Sequence, residues 1–169
     1  MKKVLYLHGL ESDQGGPKVD YLSSKYLVCA PKLDYKDPNC FQNIFDLLQD
    51  DDFDLIIGSS MGGYLGFIMG EIFEISTILF NPAVHSRSFE PNNQFKPKLG
   101  NTAHYVVLGG KDDLIHADQT VEYLDSYGVI YNKSEIPTMA HQIPLDIFID
   151  KVSNRVKELE MLTQITEKF

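Results

Sequence analysis

Ser60 stands between two glycines, in Gly58-Ser59-Ser60-Met61-Gly62, where an apolar run ends and a helical pattern begins. Phe53-Asp54-Leu55-Ile56-Ile57 leads into it, and Tyr64-Leu65-Gly66-Phe67-Ile68-Met69 follows. A strand that turns this sharply into a helix is a nucleophile elbow, which lifts a serine hydroxyl above a sheet edge. Gly58 and Gly62 lack the Cβ atoms that would clash across such a turn. Ser59 does not qualify, because only Ser60 has glycine at both minus two and plus two. The pattern arises by chance in about one chain in twenty of this length. A glycine-rich turn that packs closely or binds phosphate would look similar. Three companions must therefore follow the order of acyl-transfer chemistry: an oxyanion loop before the serine, then an acid, then a histidine.

The oxyanion loop is expected at Tyr6-Leu7-His8-Gly9-Leu10, after the first apolar run. Gly9 lets the backbone turn, and the Leu10 N–H can face a developing alkoxide. The second donor is the Met61 N–H, just after the serine. His8 precedes the serine, so it is expected to shape the loop rather than carry protons. The acid is expected in Val106-Val107-Leu108-Gly109-Gly110-Lys111-Asp112-Asp113-Leu114-Ile115. Asp112 lies three residues after Gly109 and three before Ile115, the usual spacing. Asp113 competes, but His116 then stands where an aliphatic residue belongs. The aspartate not used would cap the helix nearby. The base must follow the acid. His116 is too close in sequence, whereas His141 lies in a loop between the last strand and the last helix. His85 and His104 have no partner spacing, and the histidines form no metal motif. No metal and no cofactor are expected.

These residues need a frame of alternating strands and helices. Strands are expected at Val4–His8, Tyr26–Ala30, Leu55–Gly58, Ile75–Phe80, His104–Leu108 and Val129–Ile136. Helices are expected at Pro17–Lys25, Cys40–Gln49, Tyr64–Ile72, His116–Tyr127 and Leu145 to about Leu162. Strands separated by helices imply βαβ units and a parallel sheet. The strands read as apolar throughout, as expected when both faces are covered. The order 2-1-3-4-5-6 would put the switch point between strands 1 and 3, where oxyanion loop and elbow meet. The expected fold class is α/β, a three-layer α/β/α domain over residues 1–169. Pro82 to Gly100 is irregular, and reads as a surface loop or a small lid.

A chain of 169 residues buries enough surface to fold without staples. Cys29 and Cys40 read as core or near-core thiols, not a disulfide framework. The net charge of −9 argues against nucleic acid and against anionic membranes as partners. Lys2-Lys3 precedes an apolar run too short for a secretory signal, and no segment has membrane-span length. The expected location is the cytoplasm.

Taken together, these motifs resemble the α/β-hydrolase superfamily over essentially the whole chain. They are most similar to the small, lidless YqiA-like bacterial esterases. The resemblance rests on Tyr6-Leu7-His8-Gly9, Gly58 to Gly63, Phe80-Asn81-Pro82-Ala83-Val84, Asp112-Asp113-Leu114-Ile115 and His141. It implies Ser60 as nucleophile, Asp112 as acid and His141 as base, acting on a small acyl ester or thioester without a cofactor. Two departures bear on substrate preference. The loop Leu10 to Gly16 is more acidic and glycine-rich than in that family, and the arginine expected near His85 appears at Arg87. A non-catalytic binding protein and a cofactor-free lyase or haloperoxidase-type activity are the rival readings on the same scaffold.

Overall fold

The computed structural model describes residues 1–95 and 102–166. Six strands alternate with five helices: β1 Lys3–Leu7, α1 Pro17–Ser23, β2 Leu27–Cys29, α2 Cys40–Asp50, β3 Leu55–Ser59, α3 Met61–Phe73, β4 Thr77–Phe80, β5 His104–Gly109, α4 Ala117–Ser126, β6 Tyr131–Ile136 and α5 Leu145–Thr166. All pairings are parallel, as the strand and helix alternation predicts, and the order is the expected β2-β1-β3-β4-β5-β6. The order reverses between β1 and β3, whose register sets Leu7 beside Gly58. Their carboxyl ends, and those of β4, β5 and β6, open at one edge of the sheet. A crevice at that edge is the usual ligand site of such a sheet.

Strand side chains alternate between the two faces. Val4, Tyr6, Leu55, Ile57, Ile78, Phe80 and Val107 pack with Leu22 of α1 and with Phe148, Val152 and Val156 of α5. Leu5, Leu7, Ile56, Leu79, Val106 and Leu108 pack on the other face with α2, α3 and Leu124 of α4. Every residue of α3 from Met61 to Glu71 is buried, so this helix carries no polar face. An all-apolar helix is stable only inside a core, and this one anchors the elbow. Removing a buried phenylalanine such as Phe80 or Phe148 from such a core costs about 3–5 kcal/mol.

Burial on both faces holds for the four inner strands and not for the edges. In β6, Asn132, Lys133 and Glu135 are exposed, and β2 is only three residues long. Short or charged edges prevent pairing with another chain, so the expectation of apolar strands throughout is corrected here. Cys29 and Cys40 are free thiols. His104 has partners that its sequence spacing concealed. Its Nε2 lies 2.6 Å from Glu71 Oε1 and its Nδ1 2.7 Å from Thr77 Oγ1, all three side chains being buried. Burial pushes the His104 pKa down, and the Glu71 carboxylate opposes this only in part. A neutral ring that donates to Glu71 and accepts from Thr77 satisfies both nitrogens. Among the described residues, no helix is long and apolar enough to cross a membrane.

Candidate active site

The elbow is built by close backbone approach. Ser60 sits at φ 53°, ψ −119°, outside the regions that side-chain-bearing residues favour. Such strain costs about 1–3 kcal/mol and persists only where surrounding contacts hold it. Here the Ser60 N–H donates to the Phe80 carbonyl at 3.0 Å, and the Ser60 carbonyl accepts from Tyr64 and Ala83, each at 3.0 Å. A Cβ on Gly58 would collide with the Gly62 carbonyl. One on Gly62 would collide with the Leu7 carbonyl and stand 2.5 Å from that of His8. The glycines thus allow β1, β3 and α3 to converge beneath one serine.

The turn after β1 lies against this serine. A Cβ on Gly9 would meet the Ser60 Cβ at 3.4 Å. The Ser12 N–H donates back to the Gly9 carbonyl at 3.2 Å and closes the turn over Leu10. His8 is buried and fully used within the scaffold. Its Nδ1 faces the Gly9 carbonyl at 2.8 Å, and its Nε2 accepts the Leu33 N–H at 3.0 Å. The Tyr35 hydroxyl donates to the His8 carbonyl at 2.6 Å, and burial raises the Tyr35 pKa so that this proton stays in place. His8 therefore fastens the turn to the segment after β2.

On the other side of the elbow, His141 Nδ1 lies 2.8 Å from Asp112 Oδ2. Asp112 is 5 % exposed, and its other oxygen accepts the backbone N–H groups of Leu114 at 2.9 Å and Ile115 at 2.8 Å. The carboxylate is thus oriented on both sides, and the imidazole presents Nε2 as its unengaged nitrogen. Asp113 is exposed and does not cap α4, which starts from His116 without a side-chain cap. This corrects the capping role expected for it. The His116 carbonyl accepts from His85 Nε2 at 3.1 Å and from the N–H and hydroxyl of Thr120 at 3.0 and 3.1 Å.

Asn81, which in the sequence stands in the Asn-Pro-Ala-Val motif without an assigned role, joins this arrangement. It is fully buried directly after β4, in left-handed backbone at φ 40°. Its Oδ1 accepts the Gly109 N–H at 2.7 Å, while its Nδ2 donates to the carbonyls of Ala140 at 3.1 Å and His141 at 3.2 Å. One amide thereby ties the turn that carries Asp112 to the loop that carries His141. The available signal was Asn-Pro directly after an apolar strand, since asparagine tolerates left-handed backbone better than most residues.

Gly9, Leu10, Ser60, Met61 and His141 line one cavity of about 560 Å³, with Ser86, Ser88 and Leu114 among its walls. Ser86 and Ser88 come from the irregular segment after β4. Arg87 pins that segment, donating to the Val84 carbonyl, pairing with Glu90 at 2.6 Å and lying over the rings of Tyr64 and Tyr123. Residues 96–100 of the expected loop or lid fall outside the described residues.

The sequence matches the Uncharacterised protein family (UPF0227) over residues 3–113, which run from β1 through the turn that carries Asp112. No curated protein matches it. Solved structures similar to it include MGS-MChE2, an alpha/beta hydrolase enzyme from the sediment metagenome of the Mar Chica lagoon, Morocco. That likeness has a TM-score of 0.71 at 14% identity, over 94% of this chain and 92% of that one. Arabidopsis thaliana SOBER1 gives 0.67 at 14% identity, over 93% and 98%. Est1E from Butyrivibrio proteoclasticus, solved with ferulic acid bound, gives 0.68 at 17% identity, over 98% and 90%. With a matched span of this length and a sheet of this order, the chain belongs to family UPF0227 and has the α/β-hydrolase fold.

Proposed function

We propose that the protein is a serine hydrolase that cleaves a small carboxylic ester or thioester through an acyl-enzyme on Ser60. One observation carries this reading: a buried, doubly anchored Asp112 grips His141 Nδ1, and His141 lines the same cavity as the strained Ser60. In this reading Ser60 Oγ attacks the acyl carbonyl carbon and gives its proton to His141 Nε2. Asp112 holds the accepting tautomer and stabilises the imidazolium. The N–H groups of Leu10 and Met61 receive the oxyanion, where loss of one donor costs about 3–4 kcal/mol in a well-studied hydrolase. Collapse expels the alcohol or thiol, which takes the proton from Nε2. Water then repeats the attack on the acyl-enzyme and releases the acid, with His141 again relaying the proton. No cofactor enters these steps.

Pre-steady-state hydrolysis of p-nitrophenyl acetate tests the proposal. We predict a burst of about one nitrophenolate per chain followed by slower turnover, the mark of an accumulating acyl-enzyme. The burst should be absent in Ser60→Ala. A protein that binds the ester without releasing nitrophenolate would instead be a non-catalytic binding protein on this scaffold.

A further inference from the structure

Lys18 is the one lysine or arginine among the cavity-lining residues, and the proposed steps make no use of it. It is the second residue of α1 and is partly buried. Its ammonium lies 5.6 Å from the centre of the Phe148 ring. Burial lowers its pKa below the ordinary lysine value, and no carboxylate offsets that shift. Among the described residues it has neither an ion pair nor a hydrogen bond. Glu11 also lines the cavity, is exposed, and forms no ion pair with it.

A partly desolvated cation without an anion is unfavourable, and an aromatic face offsets only part of that cost. The chain as a whole carries −9, a field that repels anionic solutes. A neutral ester can accept a hydrogen bond from such a cation but leaves its charge uncompensated. We propose that Lys18 binds an anionic group, a carboxylate or phosphate, carried by the leaving portion of the substrate. The inference rests on the hydrolase reading above and narrows it to esters or thioesters of anionic alcohols and thiols. The leaving portion is assigned because Lys18 stands over Phe148, in the segment that follows His141. His141 Nε2 must reach the departing oxygen or sulfur, and Lys18 lines the same cavity as His141, Gln142 and Ile143.

Paired aryl acetates test the assignment. 4-Acetoxybenzoate carries an anionic leaving group, methyl 4-acetoxybenzoate its neutral counterpart, and 4-acetoxyphenyl phosphate separates phosphate from carboxylate. The quantity read is the ratio of kcat/KM for an anionic ester to that for the neutral one. Lys18→Met is expected to lower this ratio about tenfold, the size of one charge-assisted hydrogen bond, chiefly through KM. Lys18→Arg is expected to recover most of it. Should Lys18→Met not fold, Lys18→Gln carries the same comparison. A ratio unchanged in Lys18→Met or Lys18→Gln for both anions, while the native protein still hydrolyses the neutral ester, overturns the assignment and leaves the hydrolase reading intact. Hydrolysis of none of the esters by the native protein overturns both.

Discussion

Asparagine in place of Asp112 should lower kcat on p-nitrophenyl acetate by about four orders of magnitude, the loss seen when a triad base is held in the wrong tautomer. The hydrogen bonds dictate the direction. The Leu114 and Ile115 N–H groups both point at one oxygen of Asp112. Asparagine must keep its carbonyl oxygen there, because its NH₂ group cannot accept. That NH₂ then faces His141 Nδ1, now 2.8 Å from a carboxylate oxygen. Nδ1 would have to accept, so the proton would move to Nε2, the atom that must take the Ser60 proton. Asp113→Asn changes an exposed side chain and should cost no more than a few-fold. The opposite ranking in steady-state kinetics would transfer the acid role to Asp113.

Gly62→Ala should be among the most damaging single-methyl additions at the described glycines. Its Cβ would meet two backbone carbonyls, those of Leu7 and His8, and backbone cannot swing aside as a side chain can. Either α3 must withdraw from β1 or the turn at Gly9 must open, and each displaces Ser60 from its neighbours. Overpacking of this kind costs about 1–3 kcal/mol and sometimes more, and a displacement of about 1 Å at a reacting centre costs about a hundredfold in rate. We predict a stability loss at or above the top of that range in urea unfolding, together with near-complete loss of esterase activity. Gly15→Ala is the control. Nothing lies within 4 Å of its added methyl, so its stability should shift by no more than about 0.5 kcal/mol. Equal behaviour of the two variants would mean that the elbow is not held by close approach.

Local chemistry explains which parts of this arrangement could be read beforehand. Parallel pairing follows from strand-like runs separated by helical ones, and the elbow from glycines two residues either side of a serine. Both are short-range patterns. The Asp112–His141 pair could be anticipated because fold topology delivers an acid and a base in a set chain order. Asn81 could not be given a role, since its partners at Gly109, Ala140 and His141 are far away in sequence. The same holds for His104 and Glu71, which meet across 33 residues. β6 begins at Tyr131 rather than Val129, because Gly128 and Val129 still close the turn that ends α4. Its polar Asn132, Lys133 and Glu135 belong to a strand with one free edge, a property that no local window contains. Lys18 looks in sequence like any lysine at a helix start. Only the packing of α1 on α5 sets it over Phe148 at the cavity wall.

The central claim is that Ser60 is an activated nucleophile. Its most direct test is labelling of the native protein with a fluorophosphonate, followed by peptide mass mapping. We expect one phosphonyl group per chain, on Ser60 and not on the adjacent Ser59, and none in Ser60→Ala. Asp112→Asn should slow the labelling, because the same base must take the proton. A folded protein that takes up no label, or takes it up on another residue, would contradict the account.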